Sequence, residues 1–204
     1  MRVSNTADHW DTAYEDRGTN NVSWYEPTPR VSLELIASLG LQLGAPVIDI
    51  GGGASLLVGE LVARGYTDVS LLDISDVALA QVREQLGTTV VRLHENILEW
   101  KPKRRYELWH DRALLHFFTS SPDQRAYLQA LEAGLDPGGF VVLGVFAPDG
   151  PDRCSGLAVE RYDRDDLEAL LGDAYALRAD RYEAHVTPQG GRQPFTWAVF
   201  QRHR

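Results

Sequence analysis

Val47-Ile48-Asp49-Ile50-Gly51-Gly52-Gly53-Ala54-Ser55 is the stretch whose reading decides the fold of this 204-residue chain. An apolar, β-branched run ends in an acid and passes straight into three glycines. Helix-compatible residues follow from Leu56. That order describes a buried parallel strand, a tight turn and a helix whose N-terminus faces a bound small molecule. Glycine reaches backbone angles closed to other residues and lets a ligand touch the main chain. The stretch therefore announces a nucleotide-type cofactor.

Outward from this turn, strand and helix patterns alternate. Strands are expected at 47–50, 69–72, 90–93, 106–110 and 140–146, with two more near 175–182 and 195–202. Helices are expected at 7–16, 31–39, 55–64, 75–86, 122–135 and 163–171, with Asp136-Pro137-Gly138-Gly139 as a turn. A βαβ rhythm implies a doubly wound α/β sheet covered by helices on both faces. The last two strands are too close for a helical crossover, so they pair antiparallel. Residues 1–28, rich in aromatics and charges, read as a cap segment, and 29–204 as the main domain.

Bulk properties narrow the classes. Hydrophobic content of 44% and charged content of 24% are ordinary for a soluble domain of this size. The single cysteine, Cys154, excludes an internal disulfide and fits a cytoplasmic location. No apolar signal core follows Met1, and no run of about 18 apolar residues occurs, so no membrane association is expected. A net charge of −9 opposes nucleic-acid binding. No metal is expected, because this length buries a sufficient core without one.

A dinucleotide fingerprint needs a third glycine, but Leu56 or Leu57 occupies that position. No Gly-Lys-Ser/Thr follows, so a phosphate loop of the Walker type also fails. What remains is acid-x-Gly-x-Gly-x-Ser, carried by Asp49, Gly51, Gly53 and Ser55. Asp73 ends the second strand, where a carboxylate can accept from ribose hydroxyls, and Pro137-Gly138-Gly139 precedes the fifth. This set resembles the class I S-adenosylmethionine-dependent methyltransferases.

The resemblance implies a Rossmann-like, mostly parallel seven-stranded sheet in the order 3-2-1-4-5-7-6, its last strand antiparallel. It implies S-adenosyl-L-methionine as cofactor, held by Asp49, Gly51, Gly52, Gly53, Ser55 and Asp73. Ile74 would lie against adenine, with Ile97 beside it, and Asn96 or Glu95 would read the adenine amino group. Trp24 would line the sulfonium pocket, and the main chain at His110 would hold the methionine part.

The fourth strand ends as His110-Asp111-Arg112-Ala113-Leu114-Leu115-His116. His110 and Asp111 are candidate general bases, although Asp111 and Arg112 also suit structural ion pairs. Arg112 is a candidate carboxylate ligand. Tyr14, Tyr25, His116, Arg161 and His185 are further candidates for the acceptor side. Asp111-Arg112-Ala113-Leu114 resembles the Asp-Arg-Gly-Ala-Leu run of thiopurine-type small-molecule methyltransferases. Trp10-Asp11-Thr12-Ala13-Tyr14, with Trp24-Tyr25, resembles instead a group of protein-lysine methyltransferases. The expected activity is methyl transfer to a small-molecule thiol, amine or oxygen. A protein lysine is the alternative acceptor, and a non-catalytic cofactor-binding protein the alternative class.

Overall fold

β1 (Val47–Ile50) is buried at every position and lies in the interior of the sheet, as its largely apolar run requires. The computed structural model describes residues 6–18 and 22–204; parts of the 1–28 segment, residues 1–5 and 19–21, fall outside it. The parallel strands β2 (Val69–Asp73) and β3 (Val90–His94) flank β1 on one side. On the other side come β4 (Tyr106–Arg112) and β5 (Leu135–Phe146), also parallel.

Two short strands, β6 (Arg153–Cys154) and β7 (Leu157–Ala158), form a separate ribbon. Ser155 (φ 48°) and Gly156 (φ 79°) turn it, the paired positive angles of a two-residue hairpin. β8 (Tyr175–Val186) and β9 (Arg192–Arg202) complete the large sheet, whose order is β3-β2-β1-β4-β5-β9-β8. With the ribbon strands set aside, this is the order expected from the sequence. β9 runs antiparallel to both neighbours, so it alone is reversed.

The helices are α1 (Ala7–Arg17), α2 (Arg30–Ser38), α3 (Leu57–Ala63), α4 (Asp76–Leu86), α5 (Ser121–Gly134) and α6 (Arg164–Leu171). Apolar residues of α2, α3 and α4 pack with Val47, Leu71, Leu108 and Val142 on one face. Those of α5 and α6 pack with Ile48, Ile50, Trp109 and Leu143 on the other. Alternate residues of each strand thus serve opposite layers.

Several boundaries differ from expectation, three of them for a visible reason. The helix after the glycine turn starts at Leu57 rather than Ser55, whose hydroxyl accepts from Leu57 N at 3.3 Å. Ser75 is the N-cap of α4, accepting from Ala78 N at 3.1 Å. Asp136–Gly139 belongs to β5 rather than to a turn. Fully buried Leu135 pairs with Tyr106 and draws the segment into the sheet, and a register shift between Tyr106 and Leu108 absorbs the irregularity.

Gly144, at the centre of β5, lets the Trp197 ring of β9 lie flat against the backbone. A Cβ there would stand 2.8 Å from the indole. Gly144→Ala is expected to destabilise the fold by about 1–3 kcal/mol through overpacking, measured by urea denaturation. An unchanged midpoint would mean that Trp197 moves aside freely.

Candidate functional site

The carboxyl ends of β1, β2, β3 and β4 converge on a cavity of about 240 Å3, the place where open α/β sheets bind ligands. Gly51, Asp73, Ile74, Glu95, Asn96 and Ile97 line its inner part. Trp10, Tyr14, Trp24, Phe117 and Cys154 close the remainder. A smaller adjoining cavity of about 40 Å3 includes Tyr25, Glu26, Ser32, Asp49, Gly52, Ser55 and His110 in its walls. Tyr14, Trp24, Gly51 and Arg112 line both.

The glycine turn is a tight fit. Gly51 and Gly53 have φ of 64° and 54°, which glycine alone adopts without strain. A Cβ on Gly52 would lie 2.2 Å from Asp49 Oδ2, and one on Gly53 would lie 2.0 Å from the Tyr14 hydroxyl. Asp73 Oδ2 accepts from Gly53 N and Oδ1 from Ser75 N, each at 2.8 Å. Burial pushes the Asp73 carboxyl up to about 6, the two amides opposing that shift. It faces the cavity with the acceptor capacity that a sugar diol needs. Asn96 lies between the buried Ile97 and the exposed Glu95, and its Oδ1 accepts from Leu98 N at 3.1 Å.

Pleating separates the two proposed bases. Asp49 and His110 are direct cross-strand partners on the α2–α3 face. His110 Nδ1 donates to Asp49 Oδ1 at 2.7 Å, and Nε2 meets Ser32 Oγ of α2 at 2.9 Å. Asp111 points to the opposite layer and is fully buried. It accepts from the Tyr127 hydroxyl at 2.7 Å and from Leu114 N at 3.0 Å, with Leu115 N at 3.2 Å. Burial pushes its carboxyl up to about 6 despite these bonds. This is where the structure places the two candidate general bases, His110 and Asp111. Both ring nitrogens and both carboxylate oxygens are already engaged, so these groups brace β4.

The acceptor-side candidates also divide. Arg112 Nη1 donates to Trp24 O at 2.7 Å, Nη2 lies 3.2 Å from Glu26 Oε1, and the guanidinium covers the Phe195 ring. His185 Nδ1 lies 3.3 Å from Glu26 Oε1 and Nε2 donates to Ser23 O at 3.0 Å. His185 thus anchors the segment carrying Trp24 and Tyr25 and lines neither cavity. Its partners hold the Glu26 carboxyl below the usual range, against the opposing effect of burial. His116 is fully buried between Phe117 and Phe146, and burial lowers its imidazole to about 3. Arg161 is exposed and donates to Gly150 O at 3.3 Å. Neither reaches a cavity wall, so the structure does not gather His116, Arg161 and His185 at the acceptor side.

Other site residues were not singled out for it by the sequence. Trp10 is buried and forms cavity wall, edge-on to Trp24 at 5.7 Å and to Phe117 at 5.1 Å. Asp11 accepts from Ser75 Oγ at 2.6 Å and Val77 N at 3.2 Å, docking α1 on the N-terminus of α4. Ala113, just beyond β4, has φ of 68°, a strained angle for a residue with a Cβ. The Trp-Asp-x-x-Tyr spacing could have flagged Trp10 and Asp11; nothing local marks Ala113.

Residues 47–139 match the family model described as a methyltransferase domain. The chain is 25% identical over 222 residues to EEF1A lysine methyltransferase 2 of Mus musculus, covering 97% of this chain and 83% of that protein. It is 32% identical over 139 residues to carboxy-S-adenosyl-L-methionine synthase of Chromohalobacter salexigens, covering 64% of this chain and half (50%) of that one. The solved 1,6-didemethyltoxoflavin-N1-methyltransferase of Burkholderia thailandensis has the same fold, with a TM-score of 0.71, 19% identity and coverage of 97% and 84%. The sheet order is that of the Rossmann-like fold on which class I S-adenosylmethionine-dependent methyltransferases are built, and the matched segment covers its first four strands and the start of the fifth.

Proposed function

We propose that the protein transfers a methyl group from S-adenosyl-L-methionine to a small-molecule thiol, amine or oxygen, as thiopurine-type enzymes do, in the cytoplasm. In this reading 29–204 is the catalytic domain and 1–28 its cap. One observation carries the proposal: the glycine turn and Asp73 share a cavity with an aromatic wall made by Trp10, Tyr14, Trp24 and Phe117. Asp73 would hold the ribose, Ile74 and Ile97 the adenine faces, and Asn96 or Glu95 the adenine amino group. The sulfonium supplies an electrophilic methyl. Aromatic faces attract such a cation by about 1–2 kcal/mol when water is excluded. Trp10 and Tyr14, 9% and 6% exposed, supply that exclusion.

Methyl transfer by in-line displacement depends chiefly on alignment. That suits a site in which His110 and Asp111 brace a strand. The charged side chains lining the larger cavity are Asp73, Glu95, Asp123 and Arg112, and its Trp10–Phe117 part is apolar. The chemistry there favours an acceptor that arrives with an available lone pair. A protein lysine is the second reading, favoured by the 25% identity to the mouse protein across nearly the whole chain.

Labelled S-adenosylmethionine, incubated with protein and metabolite fractions separately, tests the acceptor class. Label in small molecules is expected; label confined to lysine side chains would replace the first reading with the second. A second prediction concerns pH. Asp73 titrates near 6 and accepts best when ionised, so S-adenosylhomocysteine affinity should be highest above that value and fall as pH drops through it. Asp73→Asn should flatten this dependence and weaken binding by about 1–3 kcal/mol. Calorimetry across the range decides, and a pH-independent wild-type affinity would remove Asp73 from the ribose contact.

A further inference from the structure

His185 lines neither cavity, yet both of its ring nitrogens face a segment that lines both. In residues 22–29, Trp24 belongs to both cavity walls, and Tyr25, Glu26 and Pro29 to the smaller one. β8 reaches this segment from the edge of the sheet. His185 is 5% exposed, with Nε2 3.0 Å from Ser23 O and Nδ1 3.3 Å from Glu26 Oε1. Arg112 Nη2 lies 3.2 Å from the same Glu26 oxygen, and Arg112 Nη1 donates to Trp24 O. Burial opposes ionisation of Glu26, and the His185 hydrogen bond and the Arg112 charge overcome it.

A carbonyl oxygen only accepts, and so does an ionised carboxylate. A neutral imidazole has one N–H, so it satisfies one of these oxygens and turns a lone pair on the other. The imidazolium form donates to both. The other neighbours do not supply the missing partner. The Phe195 ring of β9 stands edge-on at 6.1 Å, and Gln193 is the cross-strand partner. Glu183 of β8 accepts from Trp197 Nε1 at 2.7 Å, and Arg30 of α2, which also acts on Glu26, donates to Glu34.

We propose that His185 in its imidazolium form is a positioning residue of the cofactor site, clamping the 22–29 segment over both cavities through Glu26 and the Ser23 carbonyl. This rests on S-adenosylmethionine being the cofactor. Deprotonation removes one of the two donors and loosens the segment that carries Trp24. Through Glu26 the same proton bears on Arg112, and so on a residue in both cavity walls. The clamp is therefore complete at low pH and is lost as pH rises. That direction is opposite to the Asp73 contact, which weakens as pH falls through about 6.

The test is the rate at which labelled S-adenosylhomocysteine leaves the protein when chased with excess unlabelled ligand, between about pH 7 and pH 9, where Asp73 stays ionised. Wild type, His185→Gln and Glu26→Gln are compared, with melting curves at each pH. Release from wild type should accelerate roughly tenfold across the interval, the loss of one bond to a charged group. Both variants should release at the fast rate throughout. A flat wild-type profile would overturn the clamp, and this arm needs no variant to fold. Variants that keep the wild-type slope would assign it to another group and overturn the clamp too. Lower melting temperatures with wild-type release rates would make His185 and Glu26 supports of the fold alone. Failure of wild type to bind S-adenosylhomocysteine would instead overturn the cofactor assignment.

Discussion

The buried Asp49 carboxylate is the group around which the carboxyl edge of the sheet is arranged. An ionised side chain taken out of water must be met by hydrogen bonds. Asp49 meets His110 Nδ1 at 2.7 Å and Ser55 Oγ at 3.5 Å. His110 passes the connection to Ser32 on α2, so β1, β4, the glycine turn and α2 meet at one charge. The turn must also pass so close to Asp49 Oδ2 that Gly52 has no room for a Cβ. The backbone path that lines the cavity therefore follows from the demands of a single buried acid.

A second buried acid does the same on the other face. Asp111 gathers Tyr127 of α5 and the amides of Leu114 and Leu115, and Tyr127 in turn accepts from Trp109 Nε1 at 3.1 Å. This shapes the chain leaving β4, including the left-handed Ala113 at the cavity wall. Two adjacent ionisable residues at a strand end look like catalytic partners in a sequence. Here they anchor opposite layers, because successive side chains in a strand leave it on opposite sides.

The N-terminal segment is joined to the domain by polar contacts at both ends. Asp11 reaches α4, while Glu26 lies between Arg112 and His185, and the carbonyls of Ser23 and Trp24 receive His185 and Arg112. Between these anchors the edge-to-face contacts of Trp10, Tyr14 and Trp24 build one wall of the cavity. Their aromatic character was legible along the chain, as was their fitness to exclude water. Their attachment was not, since Asp11 and Ser75 are 64 residues apart and Ser23 and His185 are 162 apart.

By itself the sequence determined the mostly parallel sheet with its reversed strand, the place of the glycine turn and the acid at the end of β2, while the strand order came from the family resemblance. These depend on local pattern: apolar runs of strand length, glycines where the backbone needs freedom, and strand–helix alternation that admits few windings. Only the tertiary structure decided what each polar residue at the strand ends does. His110, Asp111 and His116 carry the same chemical groups in any fold. Register and burial tie His110 to Asp49 in the wall of the smaller cavity and turn Asp111 and His116 into the packed layers. Such assignments depend on which distant residue occupies the other end of a hydrogen bond, and no local pattern encodes that.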